Sequence, residues 1–153
     1  MKALELKIPP PLVAIIVAGT MWGAALVAPL IEVPTVIRLV VAALIGVVGL
    51  GVAVSGAISF RRAQTTTNPM KPEKASSLVT TGIFGFTRNP MYIGLALVLV
   101  GWAGFLSSAW ALIGPIVFVA YIGRFQIAPE ERALSAMFGA AYSAYKAKVR
   151  RWL

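Results

Sequence analysis

The side chains able to do chemistry fall in two stretches of an otherwise apolar chain. The first reads Thr80-Thr81-Gly82-Ile83-Phe84-Gly85-Phe86-Thr87-Arg88-Asn89-Pro90-Met91-Tyr92. It combines glycines, aromatic rings, a fixed charge and a proline suited to the first turn of a helix. Free backbone N–H groups at such an entrance can receive a polar ligand. The same pattern also reads as an ordinary helix start, with Arg88 reaching for lipid headgroups. The second stretch runs from Arg124-Phe125-Gln126-Ile127-Ala128-Pro129-Glu130-Glu131-Arg132 through Phe138-Gly139 to Tyr142 and Tyr145. Glu130 and Glu131 are two of only five acidic residues. In the first turn of a helix they favour the macrodipole by about 0.3–1 kcal/mol, whether or not they also serve a site. Arg124, near the end of an apolar span, either snorkels to the interface or faces a cavity where it would neutralise an anion.

The chain has no cysteine, no histidine and no aspartate. Disulfides, thiolate nucleophiles and sulfur-ligated metals are therefore excluded. Glutamates are the only acids left to bind a metal or accept a proton, and no metal is expected.

These stretches must be positioned by elements built for lipid. The 153 residues form one expected domain, 1–153, with 59% hydrophobic residues and a mean hydropathy of +0.85. Those values lie far above the soluble range. A helix crosses about 30 Å of hydrocarbon with about 20 residues. Four spans are predicted, at about 12–31, 36–58, 90–106 and 109–127. Gly46, Gly49, Gly51 and Gly56 in the second permit close helix contact, and Gly19 and Gly23 form a GxxxG pair read as packing within the bundle ahead of dimerisation. The polar segment 63–80 reads as an extra-membrane loop. Only Ser107 and Ser108 separate the last two spans, which makes them an antiparallel hairpin. Pro129 then introduces a separate amphipathic helix from Glu130 to about Lys148, expected to lie at the interface. The fold class is thus all-α, a polytopic membrane bundle with a C-terminal amphipathic interfacial helix.

Pro9, Pro10 and Pro11 break the approach to the first span, so no cleavable signal is evident and that helix is expected to be retained. On the four-span topology every basic residue except Arg38 falls on one side, including Lys2, Lys7, Arg61, Arg62, Lys71, Lys74, Arg88 and Arg124. The positive-inside rule makes that side cytoplasmic, with both termini and the polar stretches facing it across an inner or plasma membrane. This bias accounts for the net charge of +9 without nucleic acid. The hairpin returns the chain to that face, so the two polar stretches should meet.

Together they resemble the integral membrane methyltransferases, the superfamily of isoprenylcysteine carboxyl methyltransferases and phospholipid methyltransferases. The first stretch matches a Thr-x-Gly motif followed by an aromatic residue, here Thr80, Gly82 and Phe84, leading into Arg-His-Pro-x-Tyr-x-Gly. The second matches Glu-Glu-x-x-Leu-x-x-x-Phe-Gly-x-x-Tyr-x-x-Tyr. The resemblance covers about 78–149, nearly half the chain. It implies that Gly82, Phe84, Arg88, Asn89, Tyr92 and Gly94, with Glu130, Glu131, Tyr142 and Tyr145, surround S-adenosylmethionine, whose product is S-adenosylhomocysteine. It places Arg124 toward the acceptor, and Arg124 and Glu130 are the expected catalytic residues. Asn89 departs from the family's histidine, and an amide cannot titrate near neutral pH. Phe84 stands where tyrosine is common.

The implied function is methyl transfer to a lipophilic small-molecule or lipidated substrate. The Glu-Glu and Phe-Gly-x-x-Tyr-x-x-Tyr spacing leans toward an isoprenylcysteine-type carboxylate ahead of a phospholipid amine or another small lipophilic acceptor. Two rivals come from other classes. A small transporter would call for an ionisable residue in mid-membrane, and none is centrally placed. An inactive scaffold would keep the motifs and lose turnover. Cofactor binding separates the first rival from an enzyme, and turnover separates the second.

Overall fold

The computed structural model describes residues 4–27, 29, 31–65, 70 and 72–153. Lys2, Thr66, Thr67, Asn68, Pro69 and Lys71, on which parts of the sequence reading rest, lie outside the described residues. So do Ala28 and Leu30 of the first expected span and the side chain of Lys74.

In hydrocarbon a backbone must satisfy its own hydrogen bonds, and a helix does so within one segment. Among the described residues every regular element is helical: α1 (Pro10–Val27), α2 (Thr35–Arg62), α3 (Pro90–Leu106), α4 (Ile113–Ile122) and α5 (Ala128–Lys148). α1, α2 and the run Ala109–Lys148 are long and apolar enough to cross a membrane, and α3 is an apolar helix of 17 residues. The outer surface of α2 exposes Val36, Val47 and Leu50 by 60% or more, which suits lipid and not water. The chain is an integral membrane protein.

Helix ends differ from expectation for local reasons. α1 is described to Val27 instead of continuing to 31, and Pro29 and Ile31 lie outside the helix. α2 does not stop at 58. It runs to Arg62 with Arg61 and Arg62 inside its last turn, where cations favour the carbonyl end of the dipole. α3 has the expected bounds, with Pro90 in its first turn and Ser107 in the left-handed region at φ 53° behind it.

The largest correction concerns Pro129. The sequence pattern predicts a separate helix there, yet the helical run continues from α4 into α5 through a π-helical turn at Gly123–Ile127. Proline cannot donate to the carbonyl four residues back, here Phe125. The backbone N–H of Leu6 fills that place at 3.0 Å, while the Ala128 N–H reaches back five residues to Gly123. The ladder is thus re-satisfied and the helix need not end. Its break comes instead at Gly139, at φ 48° and ψ −118°.

The tightest helix pair is α2 with α3. A Cβ on Gly94 would lie 2.4 Å from the Gly49 carbonyl oxygen, and one on Gly101 would lie 3.0 Å from that of Ala42. Gly49 and Gly56 face α3 as expected, whereas Gly51 faces open space and Gly46 has room for a Cβ. Gly19 and Gly23 also have nothing within 4 Å of an added Cβ, so packing within the bundle is not their role. α1 closes on α3 and α4 around Met21, Leu99, Phe118 and Ile122, all nearly inaccessible.

The end of the bundle remote from the polar stretches is tied by few bonds. Ile31 and Ser107 exchange backbone and hydroxyl contacts at 2.7 Å. Arg38 donates from Nε to the Phe105 carbonyl at 2.7 Å and from Nη2 to the same oxygen. Arg38 therefore satisfies a helix-end carbonyl.

Gly94→Ala should destabilise the protein by about 1–3 kcal/mol through helix displacement, while Gly51→Ala should be neutral or slightly stabilising. Thermal unfolding followed by circular dichroism in detergent checks the pair. Equal stability of the two variants would contradict the packing described.

Candidate active site

At the other end of the bundle the loop before α3 is shaped by a short 3-10 helix, Gly82–Gly85. Gly82 opens it at φ +63°, a region that favours glycine. The turn buries Phe84, which lies 4.8 Å from the Phe60 ring of α2 in a tilted contact. The Phe84 carbonyl accepts a hydrogen bond from the Tyr145 hydroxyl at 2.7 Å. This bond joins the first polar stretch to the end of the second.

Two further contacts join them. Tyr92, one turn into α3, donates its hydroxyl to Glu130 Oε1 at 2.5 Å, and Gln126 Nε2 donates to the same oxygen at 2.6 Å. Gln126 and Glu130 share a face at i, i+4, and the π turn carries Gln126 to that face. π turns often mark functional sites. The neighbouring Glu131 carboxylate is paired on both sides. Arg88 Nη1 lies 3.0 Å from Oε1, without the alignment of a hydrogen bond, and Arg151 Nη2 lies 2.6 Å from Oε2.

The two adjacent glutamates therefore differ in character. Glu131 is held between two guanidinium groups. Glu130 faces neutral donors.

One pocket is lined by Phe84, Arg88, Asn89, Tyr92, Glu130, Glu131, Tyr142 and Tyr145 together. Phe60, Leu78, Met91, Ile127 and Leu134 complete its apolar wall. Three residues singled out from the sequence stand elsewhere. Gly94 is spent on the contact with Gly49, Gly82 shapes the turn beneath Ser59, and Arg124 is exposed on the π turn. The Asn89 amide donates to the Arg151 carbonyl at 2.8 Å. Sequence reasoning missed Phe60, Gln126 and Arg151. Gln126 carried a signal, as an amide four residues before a glutamate in an apolar run. Phe60 and Arg151 carried none, because their roles depend on how distant segments fold back.

The family described as phospholipid methyltransferase matches residues 37–141. An uncharacterized protein of Haemophilus influenzae is similar over 63 residues at 48% identity, a stretch that is 41% of this chain and 100% of that relative. No solved structure matches.

Proposed function

This chain belongs to the phospholipid methyltransferase family, and on that premise we propose that it transfers a methyl group from S-adenosylmethionine to a lipophilic acceptor. The observation that carries the reading is convergence. Residues 84–92 and 130–145, separated by a helical hairpin, line one pocket at the polar end of a membrane bundle. The strong bias of basic residues favours a cytoplasmic orientation for that end.

The residues present fit the cofactor. Among the described residues Arg88 Nε and Nη1 are buried without an aligned hydrogen-bond acceptor, Nη1 being ion-paired with Glu131, and an anionic group such as the cofactor's carboxylate would use the remaining donor capacity. The rings of Phe84, Tyr142 and Tyr145 line the same cavity and suit a cation. Glu130 would balance that cation or hold ribose hydroxyls through the carboxylate oxygen that Tyr92 and Gln126 leave free.

When bound, S-adenosylmethionine supplies an electrophilic methyl on a sulfonium and is left as the neutral thioether S-adenosylhomocysteine. The chain's own work is to hold both partners within about 3–3.5 Å for in-line displacement. Phe60, Leu78, Met91 and Leu134 shield the site from water, which strengthens attraction between opposite charges. For an isoprenylcysteine-type carboxylate, the acceptor favoured by the motif spacing, no proton need move. A phospholipid amine is the second reading, and a specific observation favours it. An ammonium must shed a proton before attack, and Glu130, a carboxyl group in the pocket lining, is placed to accept one. Arg124 lies outside the pocket lining, so we assign it to the acceptor's outer, polar part and to no catalytic step.

Calorimetric titration at pH 8 tests the reading. Wild-type protein should bind S-adenosylmethionine and S-adenosylhomocysteine saturably. Glu130→Gln should weaken the cationic cofactor about tenfold and its neutral product less. No binding by the wild type, in detergent and again in lipid nanodiscs, would overturn the proposal.

A further inference from the structure

The far wall of the pocket has two features that methyl transfer itself does not use. The first is the interruption of α5 at Gly139, with helix on both sides. A Cβ there would meet nothing within 4 Å. Space therefore does not require glycine, but φ +48° does, since L side chains rarely adopt it. Beyond this joint the chain carries Tyr142 and Tyr145 to the pocket.

The second feature is the tail beyond α5. At Val149 the backbone becomes extended, at φ −120° and ψ 131°, and lies against the entrance of α3. The Arg88 N–H donates to the Arg150 carbonyl at 3.0 Å. The Asn89 Nδ2 donates to the Arg151 carbonyl at 2.8 Å, and the Thr87 hydroxyl donates to the same oxygen at 3.4 Å. The Arg151 guanidinium closes on both oxygens of Glu131 at 3.1 and 2.6 Å, and Trp152 packs against the buried cluster of the bundle. These contacts join residues 149–152 to the rigid entrance of α3 across a gap of more than sixty positions in sequence.

We infer that residues 140–153 form a strap, hinged at Gly139 and latched by Asn89, whose release admits the cofactor and discharges its product. Asn89 is then a positioning residue. Its amide fastens the segment that carries Tyr142, Tyr145 and Arg151, and through Arg151 it steadies Glu131. An amide suits this task because it donates without titrating near neutral pH. The strap's two ends are unequal. The hinge is a backbone conformation with open space beside it, while the latch is a set of side-chain and backbone bonds at the protein surface. Opening therefore parts the latch, the Arg151–Glu131 pair and the Tyr145–Phe84 bond together, which is the pattern of a local, sub-global unfolding unit. The role in ligand exchange rests on the proposed use of S-adenosylmethionine, whereas the latch stands without it.

Two readouts on the full chain in nanodiscs separate these claims. Hydrogen–deuterium exchange of Asn89→Ala should rise about tenfold over 140–153 and at the Arg88 amide, the size expected for losing one hydrogen bond. Exchange within 95–104 of α3 should not change. Stopped-flow measurement with S-adenosylhomocysteine should give faster association and faster dissociation together, so that Kd moves far less than either rate. Thr87→Val, which removes the longer bond to the strap together with the local bond that Thr87 Oγ1 accepts from the Asn89 N–H at 3.2 Å, should give the same pattern and serves if Asn89→Ala does not fold. Unchanged exchange over 140–153 in the variant that folds would overturn the latch. Faster dissociation with unchanged association, so that Kd rises in step, would assign Asn89 to direct contact with the ligand and overturn its positioning role. If the wild type binds no S-adenosylhomocysteine, the cofactor reading and the exchange role fail together, and the hydrogen–deuterium exchange alone then decides whether the latch exists.

Discussion

A carboxylate buried at the edge of a membrane must be paired, and the pairing of Glu131 organises this structure. Glu131 is only 9% exposed. Its partners come from two distant segments, Arg88 before α3 and Arg151 after α5. Removing one partner from such a group leaves an uncompensated charge, which costs several kcal/mol. That penalty fixes where the entrance of α3, the start of α5 and the tail must meet. With Glu131 so held, its neighbour Glu130 turns toward Tyr92 and Gln126. Adjacent residues of one type thus acquire different partners and different uses from their surroundings.

The stiffness of the bundle is distributed to serve that site. α2 and α3 approach until glycine backbones touch, and the remote end is closed by Arg38, Ser107 and Ile31. Close backbone approach through small residues is how helices associate where hydrophobic burial offers no gain over lipid. One wall of the pocket therefore rests on a rigid pair. The other wall is the helix that starts beside the π turn and changes direction at Gly139. A site with one fixed wall and one hinged wall can exclude water during reaction and still exchange a large polar ligand.

Much of this was legible in the sequence because hydrocarbon leaves few choices. Apolar length located four helical segments, and the two-serine link at 107–108 required the hairpin that brings the polar stretches together. Eight of the expected site residues share one pocket for that reason. The errors have physical sources. Pro129 reads locally as a helix start, because nothing near it in sequence reveals that the Leu6 N–H satisfies the orphaned Phe125 carbonyl. Gly139 sits in a helical pattern, and only its backbone angles disclose the break. Gly94 belongs to a motif that the resemblance tied to the cofactor, yet its missing Cβ serves the neighbouring helix. Arg151 counts in the sequence only toward the one-sided bias of basic residues, and its contact with Glu131 is a tertiary fact.

The central claim is that the pocket shared by Tyr92, Glu130 and Tyr145 performs methyl transfer to a lipophilic molecule. Its most direct test is incubation of purified protein in native lipid with methyl-labelled S-adenosylmethionine, followed by organic extraction and chromatography. The account predicts label in the lipid-soluble fraction with the wild type and none with Tyr145→Phe combined with Glu130→Gln. Label that stays in the aqueous phase with the wild type, across prenylated carboxylate and phospholipid amine acceptors, would contradict it.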